Sequence, residues 1–418
     1  MPLFALVDCN NFFVSCERAF NPALINKPVA ILSNNDGCVI ARSNELKALG
    51  VPMGAPAFEW AALFKKHAVR VYSSNFTLYG DMSARVMQVL IQFAPEIEIY
   101  SIDEAFLELE GIKHAAIYAQ LIRATVKQWT GIPVSIGIGP TKTLAKIANH
   151  LAKKQLQYHG VCDLSQHSNL DVILKTVPVA DVWGVGFRYA KFLQKYGVMT
   201  AYDLKSAPDE WIRKNMTIMG LKTVWELRGI SCLPLEDVVP EKKSITCSRS
   251  FGKPVTSLAE LQEAVAEYVT VAAEKLRAQK LCASVMQVFV IAREPGQEKR
   301  NWYTSTIKLP IATSYTPHLL EHASRVAKDM FKKNYIYKKA GITLTGLVSK
   351  HEVQHSLFFV QSSDKQKKIM TVLDAVNQKW GRSTAFFAAS GINRIWRARR
   401  ARISPAYTTR WDQLPEVY

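Results

Sequence analysis

The chain has 418 residues, 48% of them hydrophobic, and a formal net charge of +18 at neutral pH. This length predicts more than one domain, and the charge favours a polyanionic partner, nucleic acid first and an acidic membrane surface second. No apolar run reaches about 18 residues and the start lacks a basic leader region, so we expect neither a membrane span nor a signal peptide.

The cysteines and histidines argue against disulfide and zinc chemistry. Seven cysteines are scattered along the chain without a Cys-x-x-Cys pair. The nine histidines show no ligand spacing either. We therefore expect reduced thiols and a cytoplasmic protein.

The chain begins with an apolar run at residues 3–7 that predicts a strand. Asn10 and Asn11 follow as candidate caps of a helix. The side chains that this helix is predicted to bury are Phe12, Phe13, Cys16 and Phe20. Residues 29–41 then predict a hairpin, because the polar turn at 34–37 separates two apolar runs.

Further helices and a strand follow. We expect one helix over residues 45–49, which ends before Gly50, and another over residues 81–93. Residues 132–138 predict a strand, and residues 140–154 predict a helix with proline at its start. Its apolar face is predicted to carry Leu144, Ile147 and Leu151, and its basic face Lys142, Lys146 and Lys153.

The second half of the chain predicts a different organisation. Residues 170–235 predict short helices, and residues 244–252 predict a hinge. The next segment alternates helices and strands, which predicts a second, smaller α+β unit. Its helices are predicted at 258–279 and 317–333, and its strands at 285–292, 303–309 and 342–348. The tail beyond is mixed in character.

Three acidic residues stand where predicted strands end. Asp103 and Glu104 occupy the tight turn of a hairpin predicted over residues 99–109, and Asp8 ends the first strand. Three such carboxylates suit two divalent ions about 3.5–4 Å apart, the arrangement used in phosphoryl transfer. We therefore predict that these acids bind two Mg²⁺ ions, with the carbonyl of Cys9 as a further ligand. The predicted reaction is phosphoryl transfer from a triphosphate to a primer 3′-hydroxyl. An ordinary surface turn is the alternative.

A triphosphate substrate needs cations and a platform for its sugar. Arg42, Lys47 and Lys153 are the candidate phosphate ligands, because each follows or lies on a helix next to the predicted site. A solvated basic face is the alternative for any one of them. A ring from Phe12 or Phe13 could stack under the sugar and exclude a 2′-hydroxyl. For Phe12, plain core packing is the alternative.

Two regions predict contacts with the DNA backbone. Gly184 and Gly186, followed by Lys191, are typical of a helix-hairpin-helix, in which backbone N–H groups approach a phosphate. A simple loop is the alternative. The second α+β unit carries candidate duplex-binding residues at Arg249, Arg293, Lys308, Lys338 and Lys339.

The tail contributes two further candidates. A Gln-x-Ser-Leu-Phe peptide could insert two apolar side chains into a groove on a partner, while its glutamine makes a polar contact. Its residues are Gln354, Ser356, Leu357 and Phe358. An ordinary linker is the alternative. The arginine-rich stretch 394–402 could bind DNA or an acidic protein.

Several of these segments together resemble the Y-family DNA polymerases, and the UmuC branch of that family in particular. The runs that carry the resemblance are ALVD at 5–8 with Asn10 and Phe12, SNNDGCVIAR at 33–42, YSIDEAF at 100–106, PTKTLAKIANH at 140–150, DVWGVG at 181–186, CSRSFG at 247–252 and SPAYTTR at 404–410. Nearly the whole chain is covered. The second and the last of these runs are specific to the branch.

The resemblance implies an α+β right-hand polymerase. It places palm and fingers at residues 1–165, with fingers at about 20–75, and a helical thumb with the helix-hairpin-helix at 166–240. It places the little finger at 244–350 and the clamp-binding peptide and tail at 351–418. It also implies metal ligands at Asp8, Asp103 and Glu104 and a sugar gate at Phe13.

The implied activity is error-prone translesion synthesis in the SOS response. The implied partners are primer-template DNA, dNTPs, a processed UmuD-like subunit, RecA and the sliding clamp. The chain departs from the pattern in three respects. Phe13 replaces the branch's tyrosine, which should preserve sugar selection. Asn44 and Lys47 replace the Tyr and Arg that many relatives use on the triphosphate. His355 stands where leucine is commoner, which weakens the expected clamp docking.

Two other functions remain as alternatives. A relative that has lost its chemistry could serve as a DNA or clamp scaffold, but all three acids are present. Another two-metal palm enzyme, such as a nucleotide cyclase, would have no use for the helix-hairpin-helix, the basic second unit or the clamp peptide.

Overall fold

The computed structural model describes residues 2–165, 169–236, 241–354 and 363–414. The chain divides into two compact units. The first consists of residues 1–33, 37–239 and 402–418, and the second of residues 34–36 and 240–401. The end of the chain therefore groups with the first unit, although the residues just before it belong to the second.

The first unit contains two sheets. Their strands are β1 (Phe4–Cys9), β2 (Val29–Leu32), β3 (Val39–Arg42), β4 (Arg70–Ser73), β5 (Ile97–Ile99), β6 (Glu104–Glu108), β7 (Val134–Gly139) and β8 (Val161–Asp163). The larger sheet has the order β5-β6-β1-β7-β8, and the smaller has the order β3-β2-β4. Strand β1 pairs antiparallel with both β6 and β7. The predicted first strand and both predicted hairpins are confirmed.

The helices of the first unit surround these sheets. They are α1 (Phe12–Phe20), α2 (Asn44–Ala48), α3 (Ala61–Lys66), α4 (Phe76–Leu90), α5 (Ala115–Thr130), α6 (Lys142–Lys154), α7 (Leu170–Thr176), α8 (Phe187–Lys195), α9 (Ala201–Ser206) and α10 (Asp209–Leu227). The last four share one apolar core. Residues 170–235 were predicted as short helices, and they are helical, but α10 has 19 residues and is longer than expected.

The prediction that Asn10 and Asn11 cap α1 is wrong as far as their side chains are concerned. Asn11 occupies the N-cap position in a left-handed conformation, but its side chain makes no capping hydrogen bond. Its amide instead donates to Asn44 Oδ1 over 3.0 Å. Asn10 Oδ1 accepts a hydrogen bond from Ser135 Oγ. Both side chains therefore tie α1 to neighbouring elements.

Helix α6 packs directly on the central sheet because two glycines in β7 leave room for it. A Cβ on Gly137 would lie 2.0 Å from the backbone nitrogen of Asn149, and one on Gly139 would lie 2.8 Å from that of Ala145. This close approach brings the helix's lysines to the sheet. Lys142, on the predicted basic face of this helix, is 3% exposed and pairs with Glu98.

The second unit is a four-stranded antiparallel sheet with helices. Its elements are β9 (Ile245–Val255), α11 (Leu258–Ala278), β10 (Leu281–Arg293), β11 (Arg300–Thr313), α12 (Thr316–Met330), β12 (Ile336–Ser349) and α13 (Asp364–Trp380). The strand order is β11-β10-β12-β9. The predicted α+β character of this unit is confirmed, with longer strands than expected.

One sequence prediction fails in the second unit. Residues 244–252 were predicted as a hinge, but residues 245–255 form β9, which pairs with β12 and buries Ile245, Cys247 and Phe251 in the core. The Ser and Arg residues between Cys247 and Phe251 interrupt the apolar–polar alternation that would have predicted a strand. The tail, for which the sequence predicted only a mixed character, contains the capped helix α13. Within the described part of the chain, no helix is long and apolar enough to cross a membrane.

Candidate active site

The three predicted acids meet where β1 ends beside the β5–β6 turn. Asp8 lies opposite Glu104 in the β1–β6 register, and the N–H of Cys9 donates to the carbonyl of Asp103 over 2.8 Å. Asp103 ends the β5–β6 turn and Glu104 begins β6. These two adjacent carboxylates therefore lie beside the end of β1, a strand that is buried along its whole length. The sheet fixes their backbone positions.

Asp8 is the most desolvated of these acids. It is 8% exposed, and burial is the largest influence that raises its pKa, to about 7. Glu104 acts in the same direction through its charge and a hydrogen bond, while Lys153 opposes the shift. Lys153 Nζ forms an ion pair with Asp8 Oδ2. Asp8, Glu104 and Lys153 therefore form one electrostatic group.

Glu104 and Asp103 have separate partners. Lys146 Nζ contacts both carboxylate oxygens of Glu104, at 3.2 and 3.0 Å. Asp103 Oδ1 accepts a hydrogen bond of 2.7 Å from Ser101 Oγ. In the described residues, no group of three His, Cys, Asp or Glu side chains is arranged to hold a metal ion. Lysine ammonium groups balance the carboxylate charge instead.

The donor set nevertheless suits a hard divalent cation. Asp8 and Glu104 are within hydrogen-bonding reach of each other, and Asp103 is the residue next to Glu104. Carboxylate and carbonyl oxygens are the ligands that Mg²⁺ prefers. A cation between these carboxylates would replace the charge compensation that Lys146 and Lys153 provide.

Sequence reasoning did not identify Lys146 as a residue of this site. Its ammonium group lies over the rings of Tyr100, Phe106 and Trp183, at 4.4, 5.6 and 5.3 Å from their centroids. Trp183 Nε1 also donates to the Tyr100 hydroxyl over 3.2 Å. The seven-residue spacing from Lys153 was the available signal, because it places both lysines on one face of α6.

The three predicted triphosphate cations come together. Burial is the main factor that lowers the pKa of Lys47, with repulsion from Arg42 and Lys153, while Asp8 opposes the shift. Lys47 Nζ donates to Asn11 Oδ1 over 2.6 Å. Arg42 donates through one terminal nitrogen to the carbonyl of Val51, while its buried Nε has no hydrogen-bond partner among the described residues. These three residues therefore form a positively charged cluster, and the Nε of Arg42 is available as a further hydrogen-bond donor.

The two neighbouring phenylalanines have different environments. Phe12 is 4% exposed and belongs to the core, as its alternative interpretation held. Phe13 is half-buried and packs against that core. Its ring stacks on Tyr79, with centroids 4.5 Å apart and planes 14° apart, and Phe76 meets it edge-on at 6.0 Å.

The predicted helix-hairpin-helix glycines lie before α8. Gly184 has a φ of +88°, which favours glycine, and Gly186 is the N-cap of α8. Lys191 is exposed and lies 4.5 Å from the centroid of the Phe187 ring. Phe187 is itself 75% exposed. An open glycine turn and an exposed helix start are therefore present.

The predicted cations of the second unit lie on its sheet. Lys339 pairs with Ser250 across β12 and β9, and the next pair includes Arg249. Burial lowers the pKa of Lys338, and the charges of Arg300 and Arg293 lower it further. Like charges that repel one another in this way form a ready site for a polyanion. Lys308 lies on the outer strand β11.

The predicted clamp peptide falls almost entirely outside the described residues. Gln354 is described and exposed, whereas Ser356, Leu357 and Phe358 lie beyond the described part.

Comparisons with known proteins identify the family of this chain. Residues 7–150 match the impB/mucB/samB family, residues 242–357 match its C-terminal domain, and residues 367–417 match a domain of unknown function. The chain is 42% identical to protein UmuC of Salmonella typhimurium strain LT2, with 99% of this chain and 100% of that protein covered. It is 40% identical to protein ImpB of Salmonella typhimurium, with 99% of each covered.

More distant relatives and solved structures extend the comparison. DNA polymerase IV 1 of Bacillus subtilis is 28% identical, with 90% of each chain covered. A Y-family DNA polymerase chimera of Dbh and Dpo4 superposes with a TM-score of 0.67 at 20% identity, with 83% of this chain and 99% of that chain covered. An insertion ternary complex of Dbh DNA polymerase gives a TM-score of 0.56 at 19% identity, with the same coverage. The chain therefore belongs to the impB/mucB/samB family and has the fold of the Y-family DNA polymerases.

Proposed function

We propose that this chain is a DNA-directed DNA polymerase that extends primers past damaged template during error-prone repair. The observation that supports it most is the placement of Asp8 and Glu104 at paired strand positions, with lysines and Arg42 beside them. Membership of the impB/mucB/samB family and the Y-family fold favour the same activity.

In this proposal the acids would hold two Mg²⁺ ions. Asp8, Asp103 and Glu104 would supply carboxylate oxygens, and the backbone carbonyl of Cys9 would supply another oxygen. The ions would activate the primer 3′-hydroxyl and stabilise the charge on the triphosphate. The carboxylates and the buried end of β1 would hold these groups in place, and positioning is the main demand that phosphoryl transfer makes on a protein.

The basic cluster holds the triphosphate. Arg42, Lys47 and Lys153 offer donors on the same side of the site as Asp8, and the unused Nε of Arg42 is available to a phosphate oxygen. Phe13 serves as the sugar gate, because its ring is half-exposed and supported by Tyr79. Phe12 supports the site from the core.

Contacts with DNA are spread over both units. The glycine turn before α8 would bind a backbone phosphate through its N–H groups, and Lys191 would add a charge. Arg249, Lys338 and Lys339 would bind the duplex backbone without reading bases. Gln354 would begin a sliding-clamp peptide that continues through Phe358.

The proposal extends to the setting of the activity. The chain would act in the SOS response with a processed UmuD-like subunit and RecA. Its seven free cysteines favour the reducing conditions of the cytoplasm.

Primer extension across an abasic template site tests this proposal. The full chain is supplied with dNTPs and Mg²⁺, alone and with a processed UmuD-like subunit and activated RecA. We expect insertion opposite the lesion, and the comparison shows whether partners are needed. Retained DNA binding without extension under any of these conditions would contradict the polymerase assignment and favour a scaffold.

A further inference from the structure

The last described residues of the chain are anchored to the first unit near the candidate sugar gate. Ser73 donates its N–H to the carbonyl of Arg402 over 2.9 Å and pairs with Ile403 in a parallel bridge. The Tyr407 ring stacks on Phe20, with centroids 4.9 Å apart and planes 5° apart. This segment belongs to the matched domain of unknown function.

Ser404 is the buried centre of this anchor. It is 4% exposed, and its hydroxyl donates to Glu17 Oε1 over 3.0 Å. Asn75 Nδ2 donates to the same hydroxyl over 3.0 Å. Asn75 also caps α4, since its Oδ1 accepts from the N–H of Leu78. The serine thus connects α1 with the start of α4.

Glu17 is a buried acid with hydroxyl partners. It is 1% exposed, and the Tyr79 hydroxyl donates to its Oε1 over 2.7 Å. Among the ion pairs of the described residues, none includes Glu17. A buried carboxyl group that lacks a cationic partner depends on its hydrogen bonds. The hydroxyls of Ser404 and Tyr79 share one of its oxygens.

Tyr79 links Glu17 to Phe13, the candidate sugar gate. Its ring is fully buried and forms the surface on which Phe13 stacks. We propose that Ser404 is a positioning residue for sugar selection, because it holds Glu17, which fixes the Tyr79 ring beneath Phe13. The inference rests on the proposed role of Phe13 and adds a function for the end of the chain.

The alternative is that Ser404 only anchors the tail. Tyr79→Phe separates the two roles, because it removes the hydrogen bond to Glu17 and leaves the bonds between Ser404, Glu17 and Asn75 available. A role limited to anchoring predicts no effect of Tyr79→Phe on sugar selection. The positioning role predicts that Tyr79→Phe and Ser404→Ala act in the same direction.

The test measures single-nucleotide insertion of a dNTP and of the matching rNTP by the full chain. Loss of one buried hydrogen bond should lower the preference for dNTP over rNTP about three- to tenfold in Ser404→Ala and in Tyr79→Phe. Thr409→Ala removes an exposed hydroxyl from the same segment and should leave the preference unchanged. In a Phe13→Ala background, Ser404→Ala should have no further effect.

Two results would overturn the inference, and they are distinguishable. Unchanged sugar preference in Ser404→Ala, with Phe13→Ala strongly altered, would leave Phe13 as the gate and reject the positioning role, whatever the effect of Tyr79→Phe. Unchanged preference in Phe13→Ala would reject the gate itself, and with it the link from Ser404. Polymerisation with dNTPs is the internal check that each variant is folded.

Discussion

The two large sheets of this protein differ in the length and the burial of their strands. In the first unit, β1 and β7 are six residues long and buried throughout. In the second unit, the strands run for 11 to 14 residues, and most of the alternate residues of β11 are exposed. A short strand with both faces buried holds one carboxylate rigidly. A long sheet with one exposed face instead provides a large charged surface on which a partner could bind.

Electrostatics follow the same division. Burial raises the pKa of Asp8 to about 7, and its charged neighbours are the acid Glu104 and the lysine Lys153. On the second sheet, burial and neighbouring cations lower the pKa of Lys338. The first arrangement concentrates mixed charge at a point, and the second accumulates positive charge over a surface. We therefore expect variants in the first unit to change chemistry and substrate choice, and variants in the second to change DNA affinity.

The largest separable effect should come from Phe13. Phe13→Ala removes the ring that would collide with a 2′-hydroxyl, so discrimination against rNTPs should fall about 10- to 200-fold. Steady-state insertion kinetics with both nucleotides measure this change. Phe12→Leu serves as the control, because Phe12 lies in the core; equal loss of discrimination in the two variants would contradict the gate assignment.

Removing charge from the second sheet should weaken DNA binding alone. Lys338→Ala combined with Lys339→Ala should reduce the slope of log affinity against log salt by about 2, one for each lost phosphate contact. Insertion at saturating DNA should stay unchanged. Lys65→Ala with Lys66→Ala is the matched control, an exposed pair on α3 in the first unit. A reduced slope in the control alone would place the duplex elsewhere.

The clamp peptide should affect neither chemistry nor intrinsic affinity. Leu357→Ala with Phe358→Ala removes both predicted apolar anchors, so clamp-dependent processivity should fall while distributive synthesis is retained. Product lengths with and without the loaded clamp measure this. Processivity equal to that of the wild type would show that the segment is a linker.

The smallest effect concerns stability and pH. Burial raises the pKa of Glu17 above 4.5, so this group contributes stability that is present below pH 4.5 and lost as the pH rises through the folded-state pKa. Glu17→Gln cannot lose a proton, so its unfolding free energy should vary less between pH 4.5 and neutrality. Urea unfolding of both proteins measures the difference. Glu59→Gln, at an exposed site, is the control and should show the same pH dependence of unfolding free energy as the wild type. The same dependence in Glu17→Gln would contradict the assignment of this effect to Glu17.

The division between the sheets also explains what sequence alone predicts. The acidic hairpin and β1 follow from short apolar runs around a polar turn, and their register brings Asp8 opposite Glu104. Sequence could not show that Lys142 is buried, because that depends on Glu98, 44 residues away. It could not join Ser404 to Glu17 across 387 residues. Local patterns predict elements, while contacts between distant segments decide which polar side chains are buried.

The most direct test of the central claim is primer extension by Asp103→Asn with Mg²⁺ and dNTPs, compared with DNA binding by the same protein. We expect synthesis to be abolished and DNA affinity to be nearly that of the wild type. Asp81→Asn, which alters a partly exposed acid paired with Arg85 on α4, should leave both unchanged. Retained synthesis in Asp103→Asn would contradict the assignment of these carboxylates as the catalytic site.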